Sequence, residues 1–142
     1  MRILLLLPIM VGALYAGVTR TCSNATIQGT YGYFINGSSV AGGPGPVGSL
    51  AMGVGVRHYD GDGNFTQVDV VKTSASAPLI DIPNSGTYVV NPDCSGAAYL
   101  GGAPGSPTTN ETRFVVVNGG KEIYWIVLTP AFFMVSGYAV RQ

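Results

Sequence analysis

"EIYWIVL", residues 122–128, is the stretch whose reading decides the fold. Successive side chains of a strand point to opposite faces, so Ile123, Trp125 and Val127 share one face and Tyr124, Ile126 and Leu128 the other. Both faces are apolar. "FFMVSGYAV", residues 132–140, repeats the pattern. A sheet with one wet face alternates apolar and polar residues, whereas strands apolar on both sides are covered on both. One face is therefore expected to fill an interior. The other needs a cover: the N-terminal segment, a long loop or another subunit.

Outward from this stretch, short β-prone runs alternate with turn clusters, and little reads as helix. "NGG" at 118–120 is a hairpin signal joining strands at 112–118 and 121–128. Further strands are expected at 26–36, with Ile27, Tyr31, Tyr33 and Ile35 on one face, and at 50–59, 64–73, 86–90, 94–100 and 132–141. The segment "SASAPLIDIPNS" reads as loose, and "NPD" at 91–93 as a turn. Eight strands, each paired with its neighbour, leave open edges that closure into a barrel removes. The expected fold is a single all-β, antiparallel eight-stranded barrel, with a two-sheet sandwich as the alternative. A barrel of this size is either packed by its own side chains or holds one ligand.

The chain begins with Arg2, an apolar run at 3–14 and small residues that suit cleavage after Ala13 or Ala16, the pattern of a secretory signal peptide. An uncleaved anchor is the alternative. A spanning helix needs about 20 apolar residues, and Pro8 and Arg20 count against one. Residues 1–18 are read as a removed signal and 19–142 as one domain, secreted or, in a bacterial source, periplasmic, with no membrane span after cleavage. Seven acidic and seven basic residues give no net charge, and no basic patch marks a nucleic-acid partner. In an exported chain the cysteine pair Cys22 and Cys94 is most simply one disulfide. Four sequons, at Asn24, Asn36, Asn64 and Asn110, are candidate glycosylation sites.

"HYDGDGNFTQVDV", residues 58–70, spaces Asp60, Asp62 and Asn64 like the first ligands of a calcium loop. Such a loop needs Gly at its sixth position and Glu at its twelfth, where this chain has Phe65 and Val71. The stretch reads instead as a hairpin turn, with Gly61 and Gly63 supplying the unusual dihedrals. No metal site or cofactor is expected. His58 is the single histidine and is read as a rim or packing residue. Asp69 and Glu122 lie inside expected strands, where burial would make either a candidate acid or base. The alternative is that they face solvent or pair with Lys72, Arg57 or Lys121. If the turn makes Tyr59 face Asn64, Asp69 falls opposite Val54 on an apolar face, a conclusion that a one-residue slip reverses. Tyrosines, Tyr31, Tyr33 and Tyr124 among them, are candidates to line a cavity for a small hydrophobic ligand.

"CSNATIQGTYGY", "YDGDGNFT", "GTYVVNPDCSG", "FVVVNGGKEIYWI" and "SGYAVRQ" together resemble a group of small secreted microbial proteins with an allene oxide cyclase barrel-like domain. The resemblance covers residues 22–142 and implies the eight-stranded antiparallel, calycin-like barrel of allene oxide cyclases and dirigent proteins. Its motifs are turns and strands, and no cyclase catalytic residue has a counterpart here. Three functions follow as expectations: a binder of a small hydrophobic or phenolic molecule, a structural or interaction protein at the cell surface that can assemble as a homo-oligomer, and a cofactor-free isomerase or cyclase. The candidate ligand-binding residues are Tyr31, Tyr33, Asp69, Glu122 and Tyr124.

Overall fold

The computed structural model describes residues 21–41, 46–74, 77–106 and 109–142. The expected signal peptide lies outside the described residues. A short 3₁₀ helix, Asn24–Ile27, precedes eight strands: β1 Gly29–Ser39, β2 Leu50–Tyr59, β3 Asn64–Thr73, β4 Leu79–Val90, β5 Ser95–Leu100, β6 Asn110–Val117, β7 Glu122–Thr129 and β8 Phe133–Arg141. Each strand pairs antiparallel with the next, and β1 also pairs with β8, so the sheet closes as a barrel and the sandwich alternative is set aside. No described helix is long and apolar enough to cross a membrane.

The expected β2 and β3 agree with the structure, but β4 begins seven residues earlier than the strand expected at 86–90. The segment read as loose is mostly strand. Pro83 sits opposite Val68, and Asp81, at φ 51°, lies within a bulge where Asp69 faces Ile82 but Val71 faces Leu79. A residue without an N–H, two positions after a left-handed one, looks like a chain break in sequence and is here an accommodated irregularity.

Register decides which residues enter the barrel. The β2–β3 turn pairs Tyr59 with Phe65, not with Asn64, so Asp69 stands opposite Gly55 and not Val54. That one-residue slip puts Arg57, Gln67 and Asp69 inside and leaves Leu50, Met52, Val54 and Val56 on the outer wall. Within the turn, Asp60 Oδ1 accepts hydrogen bonds from the N–H groups of Asp62, Gly63 and Asn64, and Oδ2 accepts one from Asn64 Nδ2. These bonds, led by that from the Asn64 side chain, hold the Asp60 carboxyl down at about 2. The carboxylate is engaged in shaping the hairpin.

One end of the barrel is sealed. Ile27, fully buried on the 3₁₀ helix, plugs it above Tyr31, Tyr59, Tyr88, Val116 and Ile123, all in the core. The rings of Tyr59 and Tyr88 meet edge to face at 4.9 Å, and those of Tyr31 and Tyr59 at 5.5 Å. The Cys22–Cys94 disulfide fastens the N-terminal segment to the β4–β5 turn. Higher in the barrel, four aromatic rings lie over glycines of the neighbouring strand: Tyr33 over Gly55, Phe65 over Gly86, Phe114 over Gly96 and Trp125 over Gly137. A Cβ at any of the four glycines would come within 2.8 Å of the ring. Ring and glycine together fill one residue's share of the core.

Candidate functional site: an interior cavity with a polar base

Above these rings the barrel is hollow. A cavity of about 290 Å³ is walled by Ile35, Val71, Leu79, Ile82, Leu100, Val127, Phe133 and Val135, with Tyr33, Phe65 and Trp125 at its base. It lies toward the end carrying the β1–β2, β3–β4, β5–β6 and β7–β8 connections. Ala51, Gly53 and Gly55 alternate inward on β2; Ile35 and Tyr33 pack over the two glycines, and Ala51 lines the hollow. A larger depression, about 590 Å³, lies on the outer wall between β2 and β4 and is lined in part by Val56, His58 and Val68. It is a shallow surface feature, whereas ligands are usually enclosed.

The base of the cavity holds a connected polar cluster. Arg57 donates from Nε to Gln67 Oε1 at 2.8 Å and from Nη2 to the same oxygen, and its Nη1 donates to Tyr59 Oη at 3.2 Å. Its guanidinium centre lies 4.5 Å from the Phe65 ring centroid and 5.3, 5.5 and 5.8 Å from those of Tyr33, Trp125 and Tyr59. An aromatic cage of this kind stabilises a desolvated cation. Gln67 then donates from Nε2 to Asp69 Oδ2 at 2.8 Å, and the Tyr33 hydroxyl donates to the same oxygen at 2.9 Å. Gly55 lies between Tyr33 and Asp69 in the pairing register, and having no side chain it lets the phenol reach across the strand. Burial first, and then the bond to Asp69, push the Tyr33 hydroxyl well above the ordinary tyrosine range, so it stays a donor.

Of the sequence candidates, the structure brings Tyr33 and Asp69 together in the cavity and leaves the other three elsewhere. Tyr31 lies at the sealed end, where its hydroxyl donates to Gly120 O and accepts from Arg141 Nε at 3.1 Å. Glu122 and Tyr124 are on the outer wall, where the Tyr124 hydroxyl donates to Glu122 Oε2 at 2.9 Å. Glu122 also accepts from Asn118 Nδ2. His58 is likewise outside, beside Thr30 Oγ1 at 3.1 Å. Among the sequons, Asn36 and Asn64 are exposed, Asn24 Oδ1 accepts from Val90 N at 2.8 Å, and Asn110 lines the cavity. The expected disulfide is present, and no free cysteine is found among the described residues. No described group of three or more His, Cys, Asp or Glu side chains could hold a metal ion.

Arg57, Gln67 and Trp125 were not sequence candidates for the site. Their signal was the company Arg57 keeps: it shares the inward face of β2 with Ala51, Gly53 and Gly55. Searches of protein-family models, curated proteins and solved structures found no match to this chain.

Proposed function

We propose that this chain is an exported barrel that binds one small, largely apolar molecule in its interior. The observation that carries the reading is the cavity itself, sealed at one end, apolar along its walls and polar at its base. An apolar pocket with a few convergent polar groups is the usual form of a small-molecule site. Cavities of about 150 Å³ accept benzene, so roughly twice that volume suits a molecule of about one ring with a short chain, or two rings. The test is native mass spectrometry of the protein purified from its own secretion host. A co-purifying small molecule, released on denaturation, is the expected result. A clean apo mass, with no binding in a screen of small apolar compounds, would contradict the reading.

Two observations support other readings. Asp69, only 9 % exposed and bonded to a tyrosine hydroxyl inside the cavity, supports a cofactor-free isomerase or cyclase like the allene oxide cyclase barrels that the sequence motifs resemble. Turnover of a bound compound, abolished in Asp69→Asn, would favour it. On the outer wall, Leu50, Met52, Val54 and Val56 of β2, Val68 of β3, Tyr124, Ile126 and Leu128 of β7, and Met134 and Tyr138 of β8 are exposed on strands that run consecutively through β1. An apolar surface of that breadth supports self-association, and sedimentation over a range of protein concentrations would show it.

A further inference from the structure

The polar base of the cavity selects among apolar ligands by what it leaves unbonded. The hydrogen bonds to Asp69 from Tyr33 and Gln67 both fall on Oδ2. Oδ1 takes neither of these bonds, and its side chain, nine-tenths buried, lines the cavity. Asn110 lines the same cavity, and its Oδ1 is the one buried side-chain polar atom among the described residues with no partner. Both oxygens are acceptors. Of the five Arg57 N–H groups, three go to Gln67 and Tyr59, and the guanidinium is enclosed by four rings. A hydrogen bond to a carboxylate is stronger than one between neutral groups, so a ligand that supplies a donor to Asp69 Oδ1 gains what a purely apolar one of the same shape does not.

Charge narrows the class further. Arg57 and Asp69 carry opposite formal charges and are bridged by Gln67, so the base has no net formal charge to neutralise an ammonium or a carboxylate. A carboxylate would also bring its oxygens against the acceptor oxygens of Asp69 and Asn110. We infer that the ligand is a neutral hydroxyl compound, a phenol or an alcohol with an apolar body, that donates its O–H to Asp69 Oδ1. This rests on the proposed binding function and names its ligand class. The para-propylphenol skeleton, a ring with a short chain, fits the size argued above.

Isothermal titration calorimetry of the full mature protein with three compounds of one skeleton tests it: para-propylphenol, its methyl ether para-propylanisole, and para-propylbenzoate. The expected result is that the phenol binds about tenfold or more tighter than the ether, the factor that corresponds to one hydrogen bond to a charged group, with the benzoate weakest. In Asp69→Leu the phenol's advantage over the ether should vanish while the ether still binds. Equal affinity of phenol and ether for the wild-type protein would overturn the ligand class and leave the binding function standing. Tightest binding of the benzoate would overturn it in favour of recognition by Arg57. Binding by none of the three would count against both. The wild-type comparison decides the matter even if the variant fails to fold.

Discussion

At the sealed end, hydrogen bonds join parts of the chain that are far apart in sequence. The Tyr88 hydroxyl donates to Asn24 O at 3.2 Å and accepts from Gly61 N at 3.0 Å, Arg141 Nη2 donates to Thr26 O at 2.8 Å, and Tyr31 ties Arg141 to Gly120. Around the cavity mouth the side-chain bonds among the described residues stay within one connection or between neighbouring strand ends, as in Leu50 N to Ser74 Oγ at 3.0 Å. Thr109 Oγ1 donates to Ala103 O at 2.8 Å and Ser39 Oγ to Pro46 O at 2.8 Å, each within a single connection. Where backbone groups bond there, they join neighbouring strand ends, as in Ser74 N to Leu50 O at 2.9 Å. The contrast teaches where this fold keeps its stability. Cross-barrel ties and the aromatic core hold one end, which leaves the other free to stay hollow, as functional regions commonly draw on the less stable parts of a fold.

The strongest challenge to that division is to cut the fastening at the sealed end. Cys22→Ser together with Cys94→Ser opens a link spanning 72 residues of sequence, and the chain-entropy model expects a loss of about 4 kcal/mol, read from denaturant unfolding. Next comes a matched pair of truncations. Ile27→Ala should cost about 3 kcal/mol, because it empties a fully buried position in the plug. Leu79→Ala at the mouth, where Leu79 is 57 % exposed, should stay within about 0.5 kcal/mol. Similar losses for the two would erase the distinction between the ends.

Gly137→Ala sharpens the comparison at the boundary between core and cavity. The added Cβ would lie 2.6 Å from Phe34 O and 2.7 Å from the Trp125 ring, and overpacking of this kind costs about 1–3 kcal/mol. Trp125 is the chain's only tryptophan, so a change in emission should accompany the loss. Unchanged stability and emission would mean that ring and glycine do not share their space as described.

The smallest effect concerns alkaline pH. Burial, the leading cause, pushes the Tyr88 hydroxyl up to about 12 and raises Tyr31 and Tyr33 as well. Above the ordinary value of 10 the unfolded chain would lose these protons while the folded one keeps them. The contribution is therefore complete below pH 10 and declines as pH rises toward 12. Tyrosinate absorbance should show a late-titrating class whose appearance coincides with unfolding, and full titration of all tyrosines near their ordinary value would contradict it.

The strand plan was legible in the sequence because turn chemistry marks it. "DGDG" and "NGG" sit where β2 meets β3 and β6 meets β7. The early half of β4 was not legible, since Pro83 and the left-handed Asp81 imitate a break. The site was harder still. On β2 the more apolar alternating set, Leu50 to Val56, is outside, and the set containing a charge is inside, so hydrophobicity alone chooses the wrong wall. Only the register of the Asp60 turn sends Asp69 inward, and the pairing of each ring with a glycine on a neighbouring strand exists in register and not in sequence. Tyr33 and Asp69 were nameable as residue types suited to a cavity. Arg57 acquires its place from four rings contributed by four strands, β1, β2, β3 and β7.

Because Trp125 lies at the base of the cavity and has no other tryptophan to mask it, its emission tests the central claim most directly. The measurement is a titration of the protein with para-propylphenol, excited at the red edge of the tryptophan band where the phenol does not absorb. An occupied barrel predicts a saturable change in Trp125 emission at one molecule per chain, reversed by competition with a second apolar compound. An emission that stays flat, or drifts without saturating, would mean that the interior admits no ligand, and the account of this barrel as a binding protein would be wrong.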